Sequence, residues 1–190
     1  MRYIPAHMAG SVENLLRFFD RADPDTRALG AEWYEVANAH LVAVGKRHGY
    51  PLTVAAAVTA ALSPFIEWNK NLELAEELLA GGEARGSFPQ NRAKALAIMA
   101  GADPREVLAG PKVRAFFECL AHPGATDDAV VDRHMLKAWL DGASRGQYGC
   151  GPTVYRKAVA DVQDGARLAG LKVHQFQATV WLVARRNRLT

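Results

Sequence analysis

Cysteine is nearly absent from these 190 residues: there are two, Cys119 and Cys150. The two do not build a four-ligand zinc-finger or iron–sulfur pattern, so no structural metal is read and no cofactor is expected. Cys119 falls in an apolar helical stretch and reads as a small buried hydrophobe. Long apolar runs are missing too: the longest, near residues 54–62, is far short of the ~20 residues that span a membrane, so a membrane partner is not expected. The first ten residues carry one arginine and no sustained apolar stretch, which is unlike a secretory signal, and the expected location is the cytoplasm. Internal repeats and low-complexity tails are also missing. Charge of one sign is scarce, at a net +3, but it is uneven: residues 101–190 hold 13 Lys/Arg against 9 Asp/Glu, while residues 1–100 hold 10 against 11. The second half therefore permits a phosphate-facing surface. What is present is 49% hydrophobic and 23% charged residues, enough to bury a core in one domain or in a compact pair of lobes.

Nearly every segment reads as helix, because apolar residues recur at three and four and no stretch shows sustained alternation. The class is all-α. Ser11 is placed to cap a first helix through Leu15 and Phe19, which breaks at Asp23-Pro24-Asp25. A longer helix follows, with Leu29, Trp33, Val36, Ala37, His40, Leu41 and Val44 as its stripe, ending near Gly49 before Pro51. The Ala-rich run over 53–62 has small residues on all sides and reads as a fully buried central helix ended by Ser63-Pro64. Helices over 69–79 and 91–100 stop at glycines. Asp103-Pro104 opens a short turn of helix reaching Leu108, and Ala109-Gly110-Pro111 turns into a helix over about 112–120. After a loop over 122–131, Asp132 sits where an N-cap belongs, ahead of a helix over 134–140. The stretch 142–151, with four glycines, reads as a flexible connection to two closing helices over 153–169 and 172–187. The last carries Phe176, Val180, Trp181 and Val183 on an apolar stripe, with Arg185, Arg186 and Arg188 beyond.

A short helix, a Gly-containing hairpin and a second helix form a device in which backbone amides and a helix N-terminus face one phosphate. Residues 107–115 have that layout. Gly110 lets the backbone approach closely, and Val107, Leu108, Val113 and Phe116 are placed to pack the two helices together. Here the chain resembles the helix-hairpin-helix DNA glycosylase superfamily, closest to its 8-oxoguanine glycosylase and lyase branch, on two segments. These are Gly110-Pro111-Lys112-Val113-Arg114 and Val131-Asp132-Arg133-His134-Met135, whose lysine and aspartate stand twenty residues apart. Leu62-Ser63-Pro64, leading into 71–79, resembles the turn and helix that open the family's lesion-side loop. The resemblance covers residues 53–140.

The resemblance implies a two-lobed helical glycosylase-like fold over residues 1–190. The helix-hairpin-helix would occupy about 103–120, and the N- and C-terminal helices would form the second lobe. It also implies a reaction. Expelling a base from C1′ passes through an oxocarbenium-like state, which calls for a carboxylate beside the sugar, the role of Asp132, and a nucleophile, the role of Lys112. An amine attacking C1′ forms a Schiff base, and β-elimination can then cut the strand. Gly110, Arg114, Arg133 and His134 would contact DNA. Phe65, Trp68 and Asn69, just after the Leu-Ser turn, would line the base pocket or fill the gap that a flipped base leaves. The expected partner is duplex DNA with a damaged or modified base, bound by a nucleoid-associated monomer without metal. Three departures stand out: no four-cysteine cluster, which excludes the iron–sulfur branch, no N-terminal sheet domain, and Pro111 beside the lysine. Two other readings keep the fold, namely an enzyme acting on hypermodified pyrimidines in phage DNA and a helix-hairpin-helix module that binds DNA without catalysis. A chance match by an unrelated helical protein is the last alternative.

Overall fold

The computed structural model describes residues 2–3, 10–142, 148–149 and 151–186. Cys150, Arg188, most of the stretch before Gly10 and most of the connection 142–151 lie outside the described residues. Among the described residues the chain is all-helical apart from one two-residue strand pair. It divides into two compact units: residues 1–34 with 124–190, and residues 35–123.

The first unit holds α1 (Val12–Asp20), the start of α2 (Pro24–His48), α8 (Arg133–Trp139), α9 (Pro152–Ala169) and α10 (Val173–Arg186). Ser11 caps α1, its hydroxyl accepting from the Asn14 amide at 3.3 Å. Asp23 does the same for α2, accepting from the amide of the fully buried Thr26 at 2.6 Å. Leu15, Phe18, Phe19, Met135, Trp139, Phe176 and Val180 make the core, with the Phe19 and Phe176 rings 5.2 Å apart. Burying each such side chain contributes roughly 1.5–3 kcal/mol. A two-residue parallel pair, β1 (Arg2–Tyr3) with β2 (Tyr148–Gly149), also belongs here. Sequence periodicity does not reveal it, because two residues carry no alternation.

The second unit holds the rest of α2, then α3 (Leu52–Leu62), α4 (Trp68–Leu79), α5 (Pro89–Met99), α6 (Pro104–Val107) and α7 (Pro111–Ala121). Helix α3 is its centre: residues 55–62 are all buried, and α4, α5 and α7 pack around it. Alanines suit this position, since their small side chains let neighbours approach from every side. A buried Asn71 donates from α4 to the Thr59 carbonyl at 3.0 Å, and Asn38 of α2 donates to the Leu120 carbonyl at the end of α7 at 2.8 Å.

Helix α2 buries Ala37, Leu41 and Val44 of the stripe its hydrophobicity suggests, but not the rest of it. Leu29 and Val36 are 56% and 63% exposed and His40 is exposed, whereas Thr26, Gly30, Tyr34, Ala37, Leu41 and Val44 are buried. The reason is close packing rather than hydrophobicity. A Cβ on Gly30 would lie 2.1 Å from Thr179 Oγ1, so only glycine admits α10 at this distance. No helix among the described residues is long and apolar enough to cross a membrane.

Candidate functional site

In the second unit, the residues singled out by sequence gather around the hairpin. The Asp103 carboxylate caps α6, accepting from the Arg105 amide at 2.8 Å. Arg105 then reaches forward to Glu118 of α7, with Nε to Oε1 at 2.8 Å and Nη2 to Oε2 at 3.3 Å, a two-pronged clasp between the helices. That carboxylate holds the Arg105 guanidinium above its ordinary pKa. Leu108 is fully buried, and its carbonyl accepts from Arg114 Nε at 2.7 Å. Arg114 is thus tied to the hairpin it follows.

Gly110 has φ +90° and ψ +139°, and a Cβ there would meet nothing within 4 Å. Space does not require glycine at this point; the left-handed backbone does. No side chain caps α7, Pro111 supplies no N–H, and Lys112 is the second residue of the helix, half-buried. The first-turn amides therefore have no partner in their own helix, the arrangement that suits an anion.

The turn after α3 carries the second group of candidates. Phe65 is 91% exposed with φ +66°, and its ring stands edge-on to Phe88 at 6.0 Å. Trp68 opens α4 half-buried, its ring edge-on to Phe116 of α7 at 6.1 Å, and Asn69 is exposed. The structure therefore brings Trp68 against the helix that carries Lys112.

In the first unit, Asp132 is the N-cap of α8. Its Oδ1 accepts from the amides of His134 at 2.8 Å and Met135 at 3.0 Å, while Oδ2 accepts from the indole Nε1 of Trp181 at 3.0 Å. Arg133 is exposed, with Nε 3.4 Å from His134 Nε2. His134 is buried, its ring edge-on to Trp181 at 6.1 Å. The Trp33 ring lies 6.1 Å from that of Trp181, and the Arg185 guanidinium sits over the Trp181 ring at 5.1 Å. Deeper in, Tyr34 donates to Gln177 Oε1 at 2.8 Å and stands edge-on to the buried His174. Helical periodicity does not reveal this aromatic group around Asp132, because it places Trp181 on an apolar stripe. The only signal was tryptophan, with its one N–H donor, at a helix position flanked by cations.

Among the described residues, no group of three or more His, Cys, Asp or Glu side chains is placed to hold a metal ion. A protein-family model matches residues 4–188. The chain belongs to DUF7178, a family of unknown function. No curated protein and no solved structure matches this DUF7178 chain. The family assignment spans both units and every candidate residue above.

Proposed function

We propose that this DUF7178 protein is a DNA glycosylase of the helix-hairpin-helix type that excises a damaged or modified base, 8-oxoguanine among the candidates. The observation that carries the reading is the α6–Gly110–α7 hairpin. It is clasped by Arg105 and Glu118, turned by a left-handed glycine, uncapped at α7, and followed at once by half-buried Lys112. Such a hairpin offers backbone amides to one phosphate and holds duplex DNA without reading its sequence. Binding is then expected to weaken steeply with salt, as phosphate contacts do.

In this mechanism the Lys112 amine attacks C1′ as the N-glycosidic bond breaks, and the base leaves with the bonding electrons and takes up a proton. The Asp132 carboxylate stabilises the positive charge that develops on the sugar. The amine must be neutral to attack. Breaking of the C1′–O4′ bond, with O4′ taking up the proton that the nitrogen loses, opens the sugar ring to the protonated Schiff base, and loss of a proton from C2′ then lets β-elimination expel the 3′ phosphate. Arg133 and Arg114 lend positive charge toward the backbone, and Phe65 fills the space left by the flipped base.

Borohydride trapping on duplexes containing 8-oxoguanine or an abasic site tests the reading directly. The wild type should give a covalent adduct and Lys112→Gln should give none. An adduct that persists in Lys112→Gln, or none from wild type on either duplex, overturns the lysine's role.

One observation favours a second reading. The hydrogen bonds that Asp132 accepts come from its own unit, two of them capping α8, as befits a structural side chain. On that reading the protein binds DNA through the hairpin and catalyses nothing. Salt-dependent duplex binding by wild type, with no excision from a panel of lesions that includes hypermodified pyrimidines, selects it.

A further inference from the structure

We infer that Trp181 is a positioning residue for Asp132, fixing the plane of its carboxylate rather than supporting the helix cap; this rests on the glycosylase reading of Asp132 above.

A cap needs one oxygen, and here Oδ1 serves alone, accepting both the His134 and the Met135 amides. Serine, threonine or asparagine could fill such a position about as well as aspartate. What the cap leaves undetermined is the second oxygen. That oxygen receives the Trp181 indole N–H at 3.0 Å, from a helix 49 residues further along the chain. A carboxylate offers about four lone-pair directions, so two amides and one indole occupy three and leave one on Oδ2 with a defined bearing.

The donor is itself held. Hydrogen bonds from loose side chains orient little, but Trp181 has the ring of Trp33 at 6.1 Å, that of His134 at 6.1 Å and nearly perpendicular, and the Arg185 guanidinium at 5.1 Å. An indole so held points its single N–H one way. Electrostatic stabilisation of a developing charge depends on groups already aimed before the reaction, and their aim comes from supporting contacts of this kind.

The test compares wild type, Trp181→Phe, Asp132→Asn and the double variant. Phenylalanine keeps a ring in place of the indole and removes only the donor. In single-turnover excision at saturating duplex, Trp181→Phe should slow the chemical step by roughly tenfold to a hundredfold, the range seen for lost supporting contacts, with duplex affinity unchanged. In the Asp132→Asn background the same change should have no further effect on the rate, because the group it aims is gone. An unchanged rate in Trp181→Phe, or an equal loss in both backgrounds, overturns the inference.

A second readout needs no activity. In a 15N-labelled protein, the indole N–H signal that Trp181→Phe removes is that of Trp181, and it should move in Asp132→Asn. A signal that stays in place overturns the inference even if excision is robust. An inactive wild type whose indole signal still answers to Asp132→Asn keeps the pairing and overturns the glycosylase reading alone.

Discussion

Asp132 and Trp181 meet through one hydrogen bond of 3.0 Å, and the same carboxylate starts α8 by accepting two backbone amides. The side chain therefore joins α8 to α10 as well as capping a helix. Its removal has two separable costs. Losing the cap is worth about 1 kcal/mol, and leaving the indole N–H without an acceptor about 1–3 kcal/mol more. Asp132→Ala should thus lower stability in chemical denaturation by more than an ordinary cap mutation, by roughly 2–4 kcal/mol. Asp132→Asn retains an acceptor for the amides and should cost less. Equal losses for Ala and Asn would show that the cap contributes little and that the second oxygen carries the effect.

Gly110 can be separated from other glycines by a matched control. Gly110 and Gly81 both have strongly positive φ, +90° and +87°, and a Cβ at either would meet nothing within 4 Å. Alanine at either position is therefore strained by the backbone rather than by lack of space, at a cost of about 1–3 kcal/mol. Only Gly110 lies in the hairpin. Gly110→Ala should weaken duplex binding well beyond Gly81→Ala, measured by fluorescence anisotropy at one fixed salt concentration. Equal affinities in the two variants would remove the hairpin from the DNA-binding surface.

The acid side of the stability profile should depend on Asp23. Its carboxyl is held below the usual carboxylate range first by hydrogen bonds from the Thr26 side chain and amide, and then by the charge of Arg186. Arg186 donates to Thr26 Oγ1 at 2.6 Å and lies 3.6 Å from Asp23, which closes a small network at the start of α2. For a folded-state value below the unfolded one, the stabilisation is present above the unfolded pKa, about 4, and is lost as pH falls through the folded value. Asp23→Asn should therefore lower Tm at pH 7, and its difference from wild type should shrink as the pH is taken below about 4. A difference that stays constant with pH would mean the network contributes nothing through charge.

Local chemistry was legible in the sequence and distant chemistry was not. Ser11 and Asp132 stand within three residues of the amides they cap, so residue type and position suffice to find them. The central helix was legible because alanines on every side admit only one environment. On α2 the expected Ala37, Leu41 and Val44 are buried, but Leu29 and Val36 are not: they outrank Gly30 and Thr26 in hydrophobicity, while close approach of α10 at Gly30 decides the matter. The Arg105–Glu118 clasp spans 13 residues and the Asp132–Trp181 bond 49, and no local pattern announces either. Candidate residues could thus be named one at a time, but their partners could not.

Phe65 offers the sharpest contrast between stability and function. A phenylalanine that is 91% exposed, in the left-handed region at φ +66°, gains little from burial and carries backbone strain of about 1–2 kcal/mol. Glycine at this position removes the strain but frees the unfolded chain, a cost of roughly 0.5–1 kcal/mol, and it loses the edge contact with Phe88. These effects nearly cancel, so Phe65→Gly should change folding stability by less than about 1 kcal/mol. A buried ring behaves differently: Phe176→Ala should cost about 3–5 kcal/mol. If Phe65 fills the gap beside a flipped nucleotide, the stable Phe65→Gly variant should still lose affinity for duplexes with an abasic site, and keep its affinity for intact duplex. Equal affinities of variant and wild type for the abasic duplex would return Phe65 to the status of an exposed, strained side chain without a task in DNA binding.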